Sequence, residues 1–223
     1  MTQSSARRSA AEQPVRIWDL PLRLFHWLLA ATVLGSFISA KVGNMVWHER
    51  LGCVALTLLA FRLIWGLAGS RYARFTAFVR GPGSVRAYMR GEWHGAGHNP
   101  LGALSVLAML AALSFQAVSG LFTNDDIAFE GPLAHRVSGS LTSLLTTLHR
   151  GNETVLLVLI ALHVAAIVYY RVAKRHDLIG PMLHGNAAHT SGMESAQDDL
   201  RMRGRALVIA ALCALAVAWL VRN

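Results

Sequence analysis

Five long apolar runs dominate the chain and leave few folds open to it. Leu24 to Ala40, Leu51 to Ala68, Leu101 to Phe122, Val155 to Val172 and Ala206 to Val221 are broken only by small or hydroxyl residues and by isolated His, Arg, Cys or Gln. A membrane-spanning helix needs about 20 predominantly apolar residues. The first four runs reach that length once their flanks are counted. The fifth is shorter and is read as spanning rather than as lying along the interface. Charged residues make up only 15% of the chain, against about 25% in a soluble domain. The expected fold is an all-α membrane protein: a four-helix transmembrane bundle plus a fifth C-terminal transmembrane helix.

The net charge of +9 raises nucleic acid as a partner, but the placement of the charge argues for a membrane. With the N-terminus taken as cytoplasmic, segments 1–25, 66–100 and 170–205 carry 4, 5 and 6 Lys and Arg, or 15 of the 21 in the chain. The external connections hold only Lys41, Arg50, Arg136 and Arg150. This is the positive-inside asymmetry of a multi-pass inner-membrane protein, and the basic face suits anionic lipid head groups. No aromatic-interleaved basic patch of the kind nucleic acid needs is visible. Cys53 and Cys213 both fall inside apolar runs, where a thiol is a small apolar filler.

Residues 1–14 read as a disordered cytoplasmic tail and not as a cleavable leader. Asp19 stands as an N-cap, with Pro21 in the first turn of helix 1. Helix 2 is expected from about Trp47 to Ala68, and a short interfacial helix around Ser84–Arg90. Asn99-Pro100 starts helix 3. The loop 123–148 precedes helix 4, expected from about His149 to Ala173. A hydrophilic linker, 186–205, leads to the last span, 206–221.

Four of the ten histidines lie in or beside these spans. His26 and His163 fall toward the cytoplasmic side; His48 and His149 fall toward the external side. His149 and His163 are 14 residues apart on one helix. At 100° per residue both project from nearly the same face, separated by about 21 Å of rise. One site therefore falls in each leaflet of a hydrocarbon core about 30 Å thick. Two imidazoles meeting at one depth, with a flat cofactor between them, describe bis-histidine haem ligation, and bundle cores hold such cofactors. The expected pairs are His26 with His163 and His48 with His149. Structural zinc is disfavoured, since it wants four converging ligands. Arg62 follows His48 by 14 residues on the same face. A buried arginine needs a partner, and a haem propionate would serve. His94, His98, His135, His176, His184 and His189 read as surface residues.

Several motifs carry a resemblance. Trp18-Asp19-Leu20-Pro21-Leu22-Arg23-Leu24-Phe25-His26-Trp27 resembles the opening signature of the prokaryotic cytochrome b561 family, which includes the cytochrome b subunits of nickel–iron hydrogenases. Arg62-Leu63-Ile64-Trp65-Gly66, Gly97-His98-Asn99-Pro100-Leu101-Gly102, Leu148-His149, Leu162-His163 and Asp177-Leu178-Ile179 resemble later parts of it. The similarity covers residues 15–185. It implies a four-helix domain with two non-covalent b-type haems, ligated through His26, His48, His149 and His163. The position after the helix-4 histidine, often acidic in the family, is Arg150 here.

The expected function is a diheme b-type membrane cytochrome that moves electrons between the quinone pool and a periplasmic redox partner such as a c-type cytochrome. Asp125, Asp126 and Glu130 would steer a basic partner. One alternative is a membrane-anchor subunit of a hydrogenase or similar dehydrogenase. Another is a haem-free helical transporter or scaffold. No motif places the quinone site; His98, Asn99 and Arg23 fall at the same membrane side.

Overall fold

The structure, a computed structural model, describes residues 15–92, 97–187 and 194–223. The tail 1–14, His94, His189 and part of the 186–205 linker lie outside them. Five long apolar helices carry the chain: α1 (Leu20–Lys41), α2 (Met45–Ala68), α5 (Pro100–Gly120), α6 (Gly139–Val172) and α8 (Leu200–Arg222). Short helices α3 (Phe75–Phe78), α4 (Pro82–Met89) and α7 (Ile179–His184) lie between them. Helices satisfy every backbone group internally, which hydrocarbon requires. Large apolar side chains face outward, including Leu34 (60% exposed), Leu162 (62%) and Leu215 (67%). The solvent those faces suit is lipid. The fold is the all-α membrane architecture that the apolar runs predict.

Most helix starts follow their caps. Asp19 accepts the Leu22 amide (2.7 Å) and Asn99 the Gly102 amide (2.7 Å). Helix α4 matches the expected interfacial helix. Two boundaries differ from the expectation. Helix α6 begins at Gly139, ten residues before His149. Its first turns are rich in Ser and Thr, but Thr146 and Thr147 donate to the carbonyls of Thr142 and Ser143 (2.8 and 3.0 Å). Hydroxyls bonded back along the helix do not break it. Helix α8 begins at Leu200 rather than Ala206. Asp199 accepts the Met202 amide (2.8 Å), so the helix starts in the basic stretch before the apolar run.

The chain divides into two compact units. The first comprises the described residues up to Leu24, with Trp65–Leu104 and Ala165–Ala206. It holds a two-stranded antiparallel ladder, β1 (Val15–Arg16) with β2 (Asn186–Ala187). Strands this short carry no periodic signal, and the sequence does not suggest them. Gly185 makes the turn into β2 at φ +92°, and a Cβ there would stand 2.8 Å from the Trp18 carbonyl oxygen. Asp198, before α8, takes ion pairs from Arg16 (2.5 Å) and Arg203 (3.0 Å).

The second unit comprises Phe25–Ile64, Ser105–Val164 and Leu207–Asn223. Phe25, Leu29, Leu59, Phe61, Leu110 and Leu156 are buried in it. All four histidines of interest and Arg62 belong to this unit.

Candidate functional site

Within the second unit, helices α1, α2 and α6 bring the four histidines together as two pairs. The ring centres of His26 and His163 are 6.4 Å apart, at an interplanar angle of 50°. Those of His48 and His149 are 6.1 Å apart, at 90°. All four side chains are half-buried. The pairing is the one that depth along the spans predicts.

The spacing can be compared with what one metal between two imidazoles requires. With metal–nitrogen bonds of about 2 Å on opposite sides and roughly 1 Å from each nitrogen to its ring centre, the centres stand about 6 Å apart. Both pairs meet that distance. Among the described residues no three of His, Cys, Asp and Glu cluster to hold an ion. Each pair thus offers two ligands alone, which suits an iron that brings its other ligands with it, as haem does.

Hydrogen bonding sets the rings of the outer pair. His48 Nδ1 lies 2.9 Å from the Ser36 carbonyl oxygen and 3.1 Å from the Ser36 hydroxyl. A carbonyl only accepts, so Nδ1 carries the proton and Nε2 keeps its lone pair. His149 Nδ1 lies 3.1 Å from Ser119 Oγ, whose hydroxyl donates to the Gln116 carbonyl. The Gln116 side-chain carbonyl accepts from Asn152 Nδ2 (2.7 Å), which turns its amide nitrogen toward His149 Nε2 (3.1 Å). That nitrogen also keeps its lone pair and could hold a metal in place of the amide hydrogen. Such partners orient metal-binding histidines. In the inner pair, His26 Nδ1 is buried with no hydrogen-bond partner among the described residues. Buried polar atoms of that kind are few in folded proteins, and they point to a group that completes the site.

Arg62 is buried, at 2% exposure. Gly120 lies under the His149 ring, where an added Cβ would stand 3.0 Å from Cε1. Ser36, Gln116, Ser119, Asn152 and Gly120 were not read from the sequence as parts of the site. Gln116 left one signal: a lone amide inside an otherwise apolar span needs a polar partner. Also in this unit, Lys41 on α1 and Glu153 on α6 form an ion pair at 2.7 Å.

Other predicted residues fall elsewhere. His135, His176 and His184 are exposed, as expected. His98 is not: it is half-buried, with its ring centre 4.7 Å from Trp18 and 4.8 Å from Phe78. Two flanking aromatic rings hold it there. Asn99 donates to the Tyr170 hydroxyl (2.8 Å) and Arg23 to the Leu183 carbonyl, so the contacts of His98, Asn99 and Arg23 run to separate partners. In the external loop, Asp125 Oδ1 accepts the amides of Ile127, Ala128 and Phe129 at 2.8 to 3.0 Å. Backbone donation from Phe129, then Ile127 and Ala128, holds this carboxyl below the usual range.

The family model for prokaryotic cytochrome b561 matches residues 17–185. The chain is also similar to proteins named "Probable Ni/Fe-hydrogenase B-type cytochrome subunit". Those of Azotobacter chroococcum mcd 1 and Azotobacter vinelandii are each 25% identical over 223 residues, covering 82% of this chain and 91% of theirs. That of Rhizobium leguminosarum bv. viciae is 22% identical, covering 80% of this chain and 90% of its own. No solved structure gives a match.

Proposed function

The chain belongs to the prokaryotic cytochrome b561 family, and from that premise we propose that it carries two b-type haems and moves electrons between the quinone pool and a periplasmic redox partner. Its coarse role, a membrane cytochrome b in electron transfer, comes with the family. The finer reading rests on the two imidazole pairs with ring centres 6.4 and 6.1 Å apart. In this reading His26 with His163, and His48 with His149, are the axial ligands. When bound, haem b supplies reversible one-electron chemistry at iron.

The chain's own residues do the rest. Ser36 and Ser119 hold the outer imidazoles in the tautomer that presents Nε2. The half-buried setting keeps water from the ligands, and burial with hydrogen bonding tunes a haem's potential. Arg62 is assigned to a propionate, whose charge offsets its own. The positive-inside asymmetry supports a cytoplasmic N-terminus, with the His26 pair toward the cytoplasmic side of the inner membrane and the His48 pair toward the periplasm.

A second reading differs only in the partner. The similar proteins are named as hydrogenase subunits, which favours a hydrogenase-type dehydrogenase over a c-type cytochrome. Co-purification from the native membrane separates the two.

Haem content tests the ligand assignment. The purified protein is expected to hold two low-spin b-type haems per chain. His163→Ala and the same-pair double variant His26→Ala/His163→Ala should each leave one. The cross-pair variant His48→Ala/His163→Ala should leave none. One haem in the wild type, or two lost on breaking a single pair, overturns the assignment.

A further inference from the structure

Where α2 ends and α8 begins, the first unit contains an open cavity of about 530 Å³. Leu67, Gly69, Arg71, Arg74, Glu194 and Arg205 are among its lining residues. Three guanidinium groups stand here against one carboxylate. Arg71 pairs with Glu194, but both side chains are exposed (52% and 80%), and an exposed pair of this kind holds weakly. Arg74 and Arg205 make no ion pair among the described residues. Gly69 lets the chain pass close to Trp65, because a Cβ there would strike the Trp65 carbonyl and indole. Leu67 also lines the cavity and is 73% exposed at the end of a spanning helix.

These features combine positive charge with an exposed leucine at the end of a spanning helix. Guanidinium forks match phosphate oxygens, and basic pockets between spanning helices take lipid head groups. Three arginines against one carboxylate leave the cavity net positive, which suits an anionic head group over a zwitterionic one. We propose that this cavity binds the phosphate of an anionic phospholipid, with Arg74 and Arg205 as its ligands and an acyl chain along Leu67. The proposal rests on the chain being a membrane protein and is independent of haem ligation.

The test uses the full-length, haem-loaded protein in phosphatidylcholine vesicles with and without phosphatidylglycerol. Native mass spectrometry reads the lipid retained, and thermal unfolding reads the stabilisation. The wild type is expected to retain phosphatidylglycerol over phosphatidylcholine and to melt higher in its presence. Arg74→Gln/Arg205→Gln should weaken retention about thirtyfold, the scale expected for two surface arginines. Arg74→Lys/Arg205→Lys should recover most of it, since lysine also holds phosphate. Arg86→Gln/Arg90→Gln, on α4 and at its C-cap and outside the cavity lining, should change little. Should the double Gln variant fail to fold, Arg74→Gln and Arg205→Gln singly, each about fivefold weaker, decide the question. The proposal is overturned if the wild type shows no preference, or if the α4 variant loses as much. It is also overturned if inorganic phosphate protects the phosphatidylcholine-embedded protein as well as phosphatidylglycerol does, which would make this a free-phosphate site.

Discussion

His149 shows how much one site residue depends on its neighbours. A histidine at the start of a spanning helix is visible in the sequence because an ionisable group in a membrane needs a reason to be there. What holds its ring is not visible. Ser119 and Gln116 reach it from another helix, and Gly120 leaves it room. Each sits some thirty residues away in the chain, and only the register of α5 against α6 aims them at one imidazole. Gly120→Val is therefore expected to displace the His149 ring and lower haem content from two to one per chain. Gly139→Val, where an added Cβ meets nothing within 4 Å, should keep both. The haem absorbance of the purified variants checks this. An undiminished haem content in Gly120→Val would show that the ring is not wedged against α5.

At the scale of elements, local chemistry sets most boundaries, and tertiary contacts add to them. Asp19 is readable as the cap of α1, yet it is fully buried and also accepts hydrogen bonds from the Ser70 hydroxyl and the Trp65 indole. No spacing rule links position 19 to positions 65 and 70. Burial pushes this carboxyl above its ordinary value of 3.8, against the hydrogen bonds from Ser70, Leu22 and Trp65, which pull it down. A carboxyl raised in the folded state stabilises the protein below its unfolded value, and that contribution is lost as pH rises through the folded value. Thermal unfolding from about pH 4 to about pH 8 should thus show a downward slope that Asp19→Asn removes. Asp19→Ala should cost about 1 kcal/mol for the lost cap and about 1–3 kcal/mol more for the donors left without an acceptor. A pH slope unchanged in Asp19→Asn would assign it to another group.

Helix α6 makes a related point. The apolar run begins at Val155, but the helix begins at Gly139. A helix of 34 residues is about 51 Å long, well beyond a hydrocarbon core of about 30 Å. Hydropathy marks the part that lies in lipid; backbone hydrogen bonding decides where the helix stops. The same distinction accounts for the early start of α8.

For the whole molecule, the distribution of Lys and Arg predicts one orientation. With Cys53 and Cys213 replaced by Ala, Val42→Cys in the α1–α2 turn should react with a membrane-impermeant thiol reagent on intact spheroplasts. Gly83→Cys in α4 should react only after the membrane is opened. The reverse pattern would invert the assignment of the two histidine pairs to the two sides.

The sequence by itself predicts the number of spans, their order, the orientation and the four histidines proposed as ligands. Each depends on quantities that run along one chain: apolar length, charge at the flanks, and a fixed rotation and rise per residue. The ring separations, the tautomers set by Ser36 and Ser119, the partners of Asp19, the β1–β2 ladder and the arginine-lined cavity were decided only by tertiary structure. They depend on the register between helices remote in sequence, and side-chain packing sets that register, not the periodicity of any one helix.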